Sequence, residues 1–482
     1  MTNFFDKLKI TSYPKFILLF LLSIATLVYL SVNSYIYIIL TLILIYVLSF
    51  KVNIPKFVYF LLGFSLISKL GVILIFNPPI ESDFKTMYDA AKMLASGNFD
   101  YTNWDYIIRW GYQTGHIFYQ AVILKLCDSV FLLKFINCLA LTGTTVIMYL
   151  TIKELINEKT ARFCSLLYCF YLMPVMLTTV LTNQHIPTFL FFLAFYMIIS
   201  SRFDKMNFIL RYSLIGIFIG IGNIMRPEGI IFILAIICYF IFLCYKDEKL
   251  KDIVKKILFV LVSYLIITKG VSLTFELTGI SKSGLGNKDP LWKFVLGTNY
   301  ESNGQYSLKD DLTYLDHPKK ELEVIKERTI ENPGQFAHLL LSKARMFWLG
   351  NDLYWSNNYL YSQNLKIFSH EIYGTKVNEI MNLYNNQVYL LTFGLAMVGL
   401  FRLIKSKLDK RTNLYIILVC GYFIVYLFIE IMNRYTYTPR VAIFILAGYG
   451  MWYIYNRFIL NKCVENIEKK NKKRKYIKTV KR

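Results

Sequence analysis

Long apolar runs with almost no charge are the feature that most restricts how this chain can fold. The runs are roughly 17–22 residues long, the length that a helix needs to cross the apolar core of a bilayer. A soluble protein of this size would instead bury shorter amphipathic stripes. Charged residues make up 18% of the 482 residues, against about 25% in soluble domains. The chain is therefore predicted to be an all-α, polytopic membrane protein.

The apolar runs predict about twelve transmembrane helices. Basic residues are concentrated in alternate short loops, as with Lys153, Lys159 and Arg162, whereas the intervening short loops hold almost none. Because cytoplasmic loops carry the excess of lysine and arginine, this alternation places both termini in the cytoplasm of a cell-membrane protein. The predicted spans lie near residues 16–32, 34–50, 57–77, 130–150, 161–181, 185–201, 209–225, 229–245, 256–274, 386–404, 413–431 and 439–457.

Two connections on the non-cytoplasmic side are too long to be simple turns, and they divide the chain. The predicted parts are an N-terminal transmembrane region at 1–275 with a first outer loop at 78–129, a second long outer loop at 276–385, C-terminal transmembrane helices at 386–460, and a basic cytoplasmic tail at 461–482.

Helical spacing of apolar residues also appears inside both outer loops. It predicts an amphipathic surface helix over 83–96 and a helical stretch over 319–329. Residues 116–127 are apolar but too short to span a bilayer, so we interpret them as an interfacial or re-entrant helix.

The distribution of charge limits the partners. The net charge of +23 comes largely from the short inside loops and the tail, which is typical of loops facing anionic lipid. We therefore predict contact with the bilayer and none with nucleic acid. The cysteines show no metal-ligand spacing such as CxxC, so no metal site is predicted. The sequence does not decide whether a divalent metal assists.

Ionisable residues near the ends of spans are functional candidates, because charge close to the membrane core is costly. Such clustering on one face favours an enzyme that works at the outer surface. A transporter is expected to carry polar groups near mid-membrane, in broken helices. The candidates that gather on the predicted outer side are Glu81, Asp83, His185, Arg226, Glu228, Glu430 and Arg434.

Four short motifs carry a resemblance to a known superfamily. The first runs from Asp83 to Gly97 and has Tyr88, Ala91 and Leu94 at a distinctive spacing. The others are Arg226-Pro227, Gly297-Thr298-Asn299 with Ser302, Gly304 and Tyr306, and Glu430 with Arg434-Tyr435. Together they resemble the GT-C glycosyltransferases, and in particular the bacterial branch similar to protein O-mannosyltransferases (glycosyltransferase family 39) and the lipid A aminoarabinose transferase. One departure is Glu81-Ser82-Asp83, where many relatives have an Asp-Glu pair.

The resemblance implies an inverting transfer of a hexose or pentose from a polyprenyl-phosphate-linked donor to a glycan, glycolipid or protein acceptor of the envelope. Asp83 would be the general base, with Glu81 as its partner. Basic side chains would stabilise the leaving phosphate. The implied phosphate-binding residues are Arg226, Arg434, Lys343 and His185, and the supporting residues are Tyr88, Glu228, Asn299, Glu430 and Tyr435.

Simpler interpretations exist for the same residues. Asp83 would also suit the start of a helix, where the helix dipole stabilises an acidic group. Arg226 would also suit a headgroup-facing arginine, and Glu430 an ion pair with Arg434 four residues later. Two other classes stay open: a polysaccharide polymerase or ligase, and a transporter or flippase of lipid-linked sugar. The two long outer loops favour the glycosyltransferase.

Overall fold

The computed structural model describes residues 32–245, 247–350, 353–357, 364–367, 370–405 and 409–460. The first predicted span, near 16–32, and the basic tail at 461–482 lie outside these ranges, apart from Val32. The connections at 78–129 and 276–385 are called loop 1 and loop 2 below.

Helices make up most of the described chain. It begins with α1 (Val32–Tyr46) and α2 (Phe57–Ile75), and loop 1 holds α3 (Ser82–Ala95), α4 (Asp105–Arg109) and α5 (Thr114–Leu126). The central helices are α6 (Val130–Leu155), α7 (Glu158–Cys169), α8 (Leu172–Met176), α9 (His185–Ile199), α10 (Phe208–Met225), α11 (Gly229–Tyr239) and α12 (Leu250–Leu277). Loop 2 holds α13 (Trp292–Gly297), α14 (Leu308–Tyr314), α15 (Pro318–Lys326), α16 (Pro333–Leu349) and α17 (Tyr354–Asn357). The chain continues with α18 (Gly374–Lys405), α19 (Asn413–Phe428) and α20 (Tyr437–Ile454).

A short hairpin contains the only β-strands among the described residues. Strands β1 (Asn364–Ile367) and β2 (His370–Tyr373) pair antiparallel, with Asn364 opposite Tyr373. The hairpin is too small to change the class, and the predicted all-α membrane fold is confirmed.

The multi-pass character of the chain is confirmed, although the number of spans is not. Each predicted span from 34–50 onward coincides with at least one helix. Within the part of the chain that the structure describes, six helices are long and apolar enough to cross a membrane, and a bent pair would make seven. Three shorter apolar helices, Ile36–Lys51, His185–Ile199 and Gly229–Cys244, fall below that length. The structure therefore does not establish the predicted number of twelve.

The predicted span at 161–181 is broken into two segments. Helix α7 ends at Cys169, and Leu172–Thr179 continues at an angle of 53°. Pro174 explains the break, because a proline ring clashes with the carbonyl four residues earlier in a continuous helix. The side chain of Asn385 accepts a 2.8 Å hydrogen bond from the backbone amide of Met173. The break is thus stabilised by a partner from α18, as the interior of a membrane protein requires.

Helix α20 forms the centre of the bundle. Every residue from Tyr437 to Met451 is buried. Helix α18 packs along it closely enough that a Cβ on Gly450 would lie 1.9 Å from the carbonyl oxygen of Leu395. Such small residues allow two membrane helices to approach each other. Helices α18 and α20 therefore pack in direct backbone contact.

The two long loops pack against each other. The Tyr101 hydroxyl donates to the carbonyl of Ile280 at 2.7 Å, and the backbone amide of Lys288 approaches the carbonyl of Arg109 at 3.4 Å. A Cβ on Gly111 would lie 2.4 Å from the carbonyl oxygen of Gly286, so only glycine fits there. Loops 1 and 2 therefore form one layer at one end of the helix bundle.

Candidate active site

Helix α3 brings Asp83 to the site. Its apolar face, which includes Phe84, Met87 and Ala91, is buried, as the amphipathic pattern predicts. Asp83 lies in the first turn of α3, a position where acidic residues are common in helices. Its side chain is 47% exposed, and its Oδ2 lies 3.9 Å from Nη2 of Arg434. The carboxylate is thus accessible and faces a guanidinium at the same time.

Arg434 lies in the turn between α19 and α20 and is buried. Its guanidinium carbon is 5.3 Å from the centre of the Phe84 ring, so it contacts helix α3 on a second side chain. The Gln184 amide, at the start of α9, donates to the backbone carbonyl of Arg434. Residues far apart in sequence therefore fix the position of this arginine.

Arg226 and Glu228 form a buried ion pair after the end of α10. The Nη1 of Arg226 donates to Oδ1 of Asn183 at 3.0 Å. The Tyr422 hydroxyl donates to Oε2 of Glu228 at 2.6 Å. The simpler interpretation of Arg226, as an arginine that faces the lipid headgroups, does not hold, because neighbouring helices enclose its side chain.

Tyr435 connects the two arginines. Its ring centre lies 5.3 Å from the guanidinium carbon of Arg226 and 5.9 Å from that of Arg434. A cation over an aromatic face is attracted by the ring quadrupole. Both guanidinium groups therefore belong to one cluster around this ring.

Lys293, the second residue of α13, is a third cation that the sequence analysis missed. Its ammonium forms an ion pair with Glu430 and lies 5.3 Å from the centre of the Trp110 ring. The backbone amide of Glu430 also donates to the carbonyl of Lys293 at 2.8 Å. Burial alone would lower the pKa of Lys293, but the neighbouring Tyr435 and Glu430 raise it above its ordinary value. Its only sequence signal is a lone charge inside Leu-Trp-Lys-Phe-Val.

The simple pairing of Glu430 with Arg434 is wrong. Helix α19 ends at Phe428, so the two residues do not lie on consecutive turns of one helix. Glu430 pairs with Lys293, and Arg434 faces Asp83.

Lys343 joins loop 2 to the end of α19, and Asn299 connects two segments within loop 2. The Lys343 ammonium donates to the carbonyls of Gly297 at 2.7 Å, Leu427 at 2.7 Å and Ile429 at 2.9 Å. Burial lowers the pKa of Lys343 to about 7, with Glu430 acting in the opposite direction. The Asn299 amide donates to Asp310 at 2.8 Å. Both side chains are directed to partners within the protein.

The remaining predicted residues lie around this cluster. His185 is buried at the start of α9, with Nδ1 2.6 Å from the Tyr437 hydroxyl. Glu81 is exposed, precedes α3, and forms no ion pair within the described ranges. Tyr88 is half-buried, with the Lys92 ammonium 5.9 Å from its ring centre.

Two tyrosines of loop 1, Tyr106 and Tyr112, place polar hydroxyl groups beside the cluster. Desolvation raises the pKa of Tyr106 well above its ordinary value, and the Asp83 charge acts in the same direction. Desolvation also raises the pKa of Tyr112, near Lys293. Both hydroxyls therefore stay protonated at neutral pH and can donate hydrogen bonds to an anionic ligand.

The described residues contain no group of three or more His, Cys, Asp or Glu side chains arranged to hold a metal ion. What the site does contain is an accessible carboxylate beside three clustered cations. A carboxylate can accept a proton from an attacking hydroxyl, and the cations can stabilise a leaving anion.

The fold and the site thus define a polytopic membrane protein with an accessible carboxylate and a cluster of cations at one end of its bundle. Residues 115–271, about a third of the chain, match the family model described as dolichyl-phosphate-mannose-protein mannosyltransferase. No curated protein matches the sequence.

Solved structures share the fold. The apo crystal structure of the oligosaccharyltransferase of Archaeoglobus fulgidus is similar with a TM-score of 0.50 and 12% identity, over 86% of this chain and 52% of that one. The archaeal oligosaccharyltransferase AglB from Archaeoglobus fulgidus, in complex with an inhibitory peptide and a dolichol-phosphate, has a TM-score of 0.47 at 12% identity, with the same two coverages. The chain therefore spans about half the length of these oligosaccharyltransferases.

The match of residues 115–271 to this family model, together with the shared fold, supports the resemblance to the GT-C superfamily of membrane glycosyltransferases. The class predicted from the four motifs is confirmed at this level.

Proposed function

We propose that this chain transfers a sugar from a polyprenyl-phosphate-linked donor to an envelope acceptor at the outer face of the membrane. The observation that carries the proposal is the half-exposed Asp83 carboxylate, 3.9 Å from the Arg434 guanidinium. A base and an anion-binding group in such proximity suit a substitution in which a hydroxyl enters and a phosphate leaves. The matching family model, named for a dolichyl-phosphate-linked sugar donor, supports the same donor class.

The proposed reaction is a single displacement at the anomeric carbon. The acceptor oxygen forms a bond to that carbon while Asp83 takes the hydroxyl proton. The bond between the anomeric carbon and the phosphate oxygen breaks, and its electron pair leaves with the lipid phosphate. One displacement inverts the configuration of the sugar.

Three cations are proposed to bind the donor phosphate: Arg226, Arg434 and Lys293. Charge-assisted hydrogen bonds from such groups are stronger than neutral ones. Glu228 and Glu430 are proposed to position two of these cations, since each carboxylate is buried against its partner. Tyr435 contacts both guanidinium groups and is proposed to keep them apart at the spacing that the phosphate needs.

The other predicted residues take outer positions in this proposal. Glu81 would tune the charge near Asp83, and Tyr88 would support helix α3. His185 would bind the donor only through a rearrangement, because it is buried against Tyr437. Lys343 and Asn299 would shape loop 2. The basic loops support placing the site outside and both termini in the cytoplasm.

The test is the sugar composition of the cell envelope in a deletion strain complemented with wild type, Asp83→Asn or Asp89→Asn. Asp89 is the matched control, because it lies on the same helix and pairs with Lys85 at 2.7 Å. We expect one sugar to be lost on deletion and restored by wild type and by Asp89→Asn, but not by Asp83→Asn.

Other outcomes separate the competing classes. Full restoration by Asp83→Asn would exclude this carboxylate as the base and favour a polymerase or flippase. An envelope with unchanged monomers but shorter polymers in the deletion strain would favour a polymerase or ligase.

A further inference from the structure

Loop 2 contains a pair of buried carboxyl groups outside the candidate active site. Asp289 precedes α13 and is 4% exposed, and Glu321 lies in the first turn of α15 and is 0% exposed. Oδ2 of Asp289 and both side-chain oxygens of Glu321 are buried without a hydrogen-bond partner among the described residues, and the Asp289 side chain acts directly on the Glu321 carboxyl. No ion pair of the described residues includes either of them. The pair therefore joins two segments of loop 2 without a neutralising cation.

The surroundings keep this pair away from water. Leu296, Leu315 and Val324 form a small apolar cluster with Trp292, next to the pair in sequence. Asp316 is a further charge that acts on Glu321, and it is bound by Lys288 at 3.1 Å and approached by Arg109 at 3.4 Å. Lys288 and Arg109 therefore pair with Asp316, on the side that faces loop 1.

Two carboxylates so placed cannot both stay ionised. Burial disfavours a negative charge on Glu321, and the neighbouring Asp289 carboxyl disfavours it further, so Glu321 retains its proton. Burial and then the Asp289 side chain raise the pKa of Glu321 well above its ordinary value. Asp316 adds to this effect, and the backbone of His317 opposes it.

We propose that Asp289 and Glu321 form a proton-operated latch that couples the pH of the surrounding medium to the position of Lys293. With Glu321 protonated, the latch holds α15 against the segment that precedes α13. Lys293 follows Asp289 by four residues and lies on α13, which packs against α15. Loss of the proton leaves two negative charges in contact, so α15 separates and α13 loses its support. The link to sugar transfer rests on the proposed function, whereas the latch is a property of loop 2 alone.

The sign of the pH dependence follows from the raised pKa. The folded loop binds a proton more tightly than the unfolded chain, so its stability falls as pH rises. The loss begins above the ordinary glutamate pKa, about 4.3, and is complete once the pH passes the raised value of Glu321. Over that interval the open population rises by up to about tenfold for each pH unit.

Hydrogen exchange of the full chain in nanodiscs, corrected for the intrinsic effect of pH, tests the latch on peptides that cover 308–331. We expect exchange of wild type to increase up to about tenfold per pH unit toward alkaline pH. Glu321→Gln keeps a donor for Asp289 without a second charge, so its exchange should not change with pH. Glu323→Gln, an exposed residue of the same helix, should behave as wild type, and Asp289→Asn should behave as Glu321→Gln.

A wild-type exchange rate that does not change with pH would overturn the latch, as would an alkaline increase that persists in both Glu321→Gln and Asp289→Asn. Sugar transfer measured over the same pH range tests the coupling. We expect Glu321→Gln to retain at alkaline pH the activity that wild type loses, and equal loss in both would overturn the coupling. A chain without transfer activity at any pH overturns the proposed function, while the exchange measurement still supports or overturns the latch by itself.

Discussion

Two acid–base pairs of the candidate site differ in what their surroundings allow. Arg226 and Glu228 are buried, with side chains 11% and 5% exposed, and further polar partners surround both. Asp83 and Arg434 lie 3.9 Å apart, and the Asp83 side chain is 47% exposed. The first pair is enclosed by helices, and the second opens to the solvent on its acidic side.

The difference shows how structure and chemistry are divided between the pairs. A buried charge is stable only while its partner is present, because removal of the partner leaves an uncompensated ion in a medium of low polarity. A half-exposed carboxylate retains water on one side, so it can lose and regain a proton during a reaction. We therefore expect the enclosed pair to contribute more to stability than the open pair does, in addition to its proposed role in donor binding, and we expect the open carboxylate to contribute more to the rate.

Replacing Asp83 by asparagine should have the largest effect. Asparagine preserves the shape but cannot accept the acceptor proton, so we expect kcat to fall by about 10²–10⁴-fold. The Tm should remain close to that of wild type, since the side chain is half-exposed. A kinetic assay and a thermal melt of the same preparation check both. Loss of folding in Asp83→Asn would remove the distinction between the pairs.

Replacing Glu228 by alanine should act on the enclosed pair. Arg226 and the Tyr422 hydroxyl would lose a buried anionic partner, and removing one member of such a pair costs about 3–5 kcal/mol. The measurement is the free energy of unfolding in a lipid-like detergent, with Glu81→Ala as the exposed control. A stability equal to that of wild type would show that water or another acid compensates Arg226.

The Lys293–Glu430 pair is intermediate in exposure between the enclosed and the open pair. The Lys293 side chain is 29% exposed, while that of Glu430 is 5% exposed. Lys293→Gln removes a charged hydrogen bond worth about 1.5–3 kcal/mol, so we expect the KM for the donor to rise about ten- to a hundredfold. Lys343→Gln is the matched variant. It should lower stability without changing the KM, because its ammonium bonds to backbone carbonyls. A raised KM in Lys343→Gln would restore it as a phosphate ligand.

The sequence was sufficient for features that depend on local pattern. Hydropathy predicted segments that contain helices from 34–50 onward, although not the number of spans. Local pattern also predicted helices close to those that begin at Ser82, Thr114 and Pro318. These features need only the period and length of a segment. The break before Leu172 was missed, since Pro174 lies inside an apolar run that reads as one span.

The contacts of the site could not be predicted from the sequence, because they join segments that are far apart along the chain. Tyr422 meets Glu228 over 194 residues, and Lys293 meets Glu430 over 137 residues. Such pairs depend on how helices pack, for which one sequence gives no period or spacing. Lys343 illustrates the same limit, since a basic residue of an outer loop is readily interpreted as a phosphate ligand until its carbonyl partners are known.

Substitution of Glu81 is expected to have the smallest effect. It tests whether the exposure of a carboxylate or its position makes it catalytic. It is more exposed than Asp83 and lies just before α3, without an ion pair within the described ranges. If exposure alone made a carboxylate catalytic, Glu81→Gln would reduce kcat as much as Asp83→Asn does. We expect instead a stability change within about 0.5 kcal/mol, as for surface substitutions generally, and a kcat within about threefold of wild type, since one unpaired surface charge alters a nearby pKa only slightly in water. Kinetics of both variants at several salt concentrations check this. A large, salt-independent loss in Glu81→Gln would instead assign the two carboxylates to a shared role, as in relatives with an adjacent acidic pair.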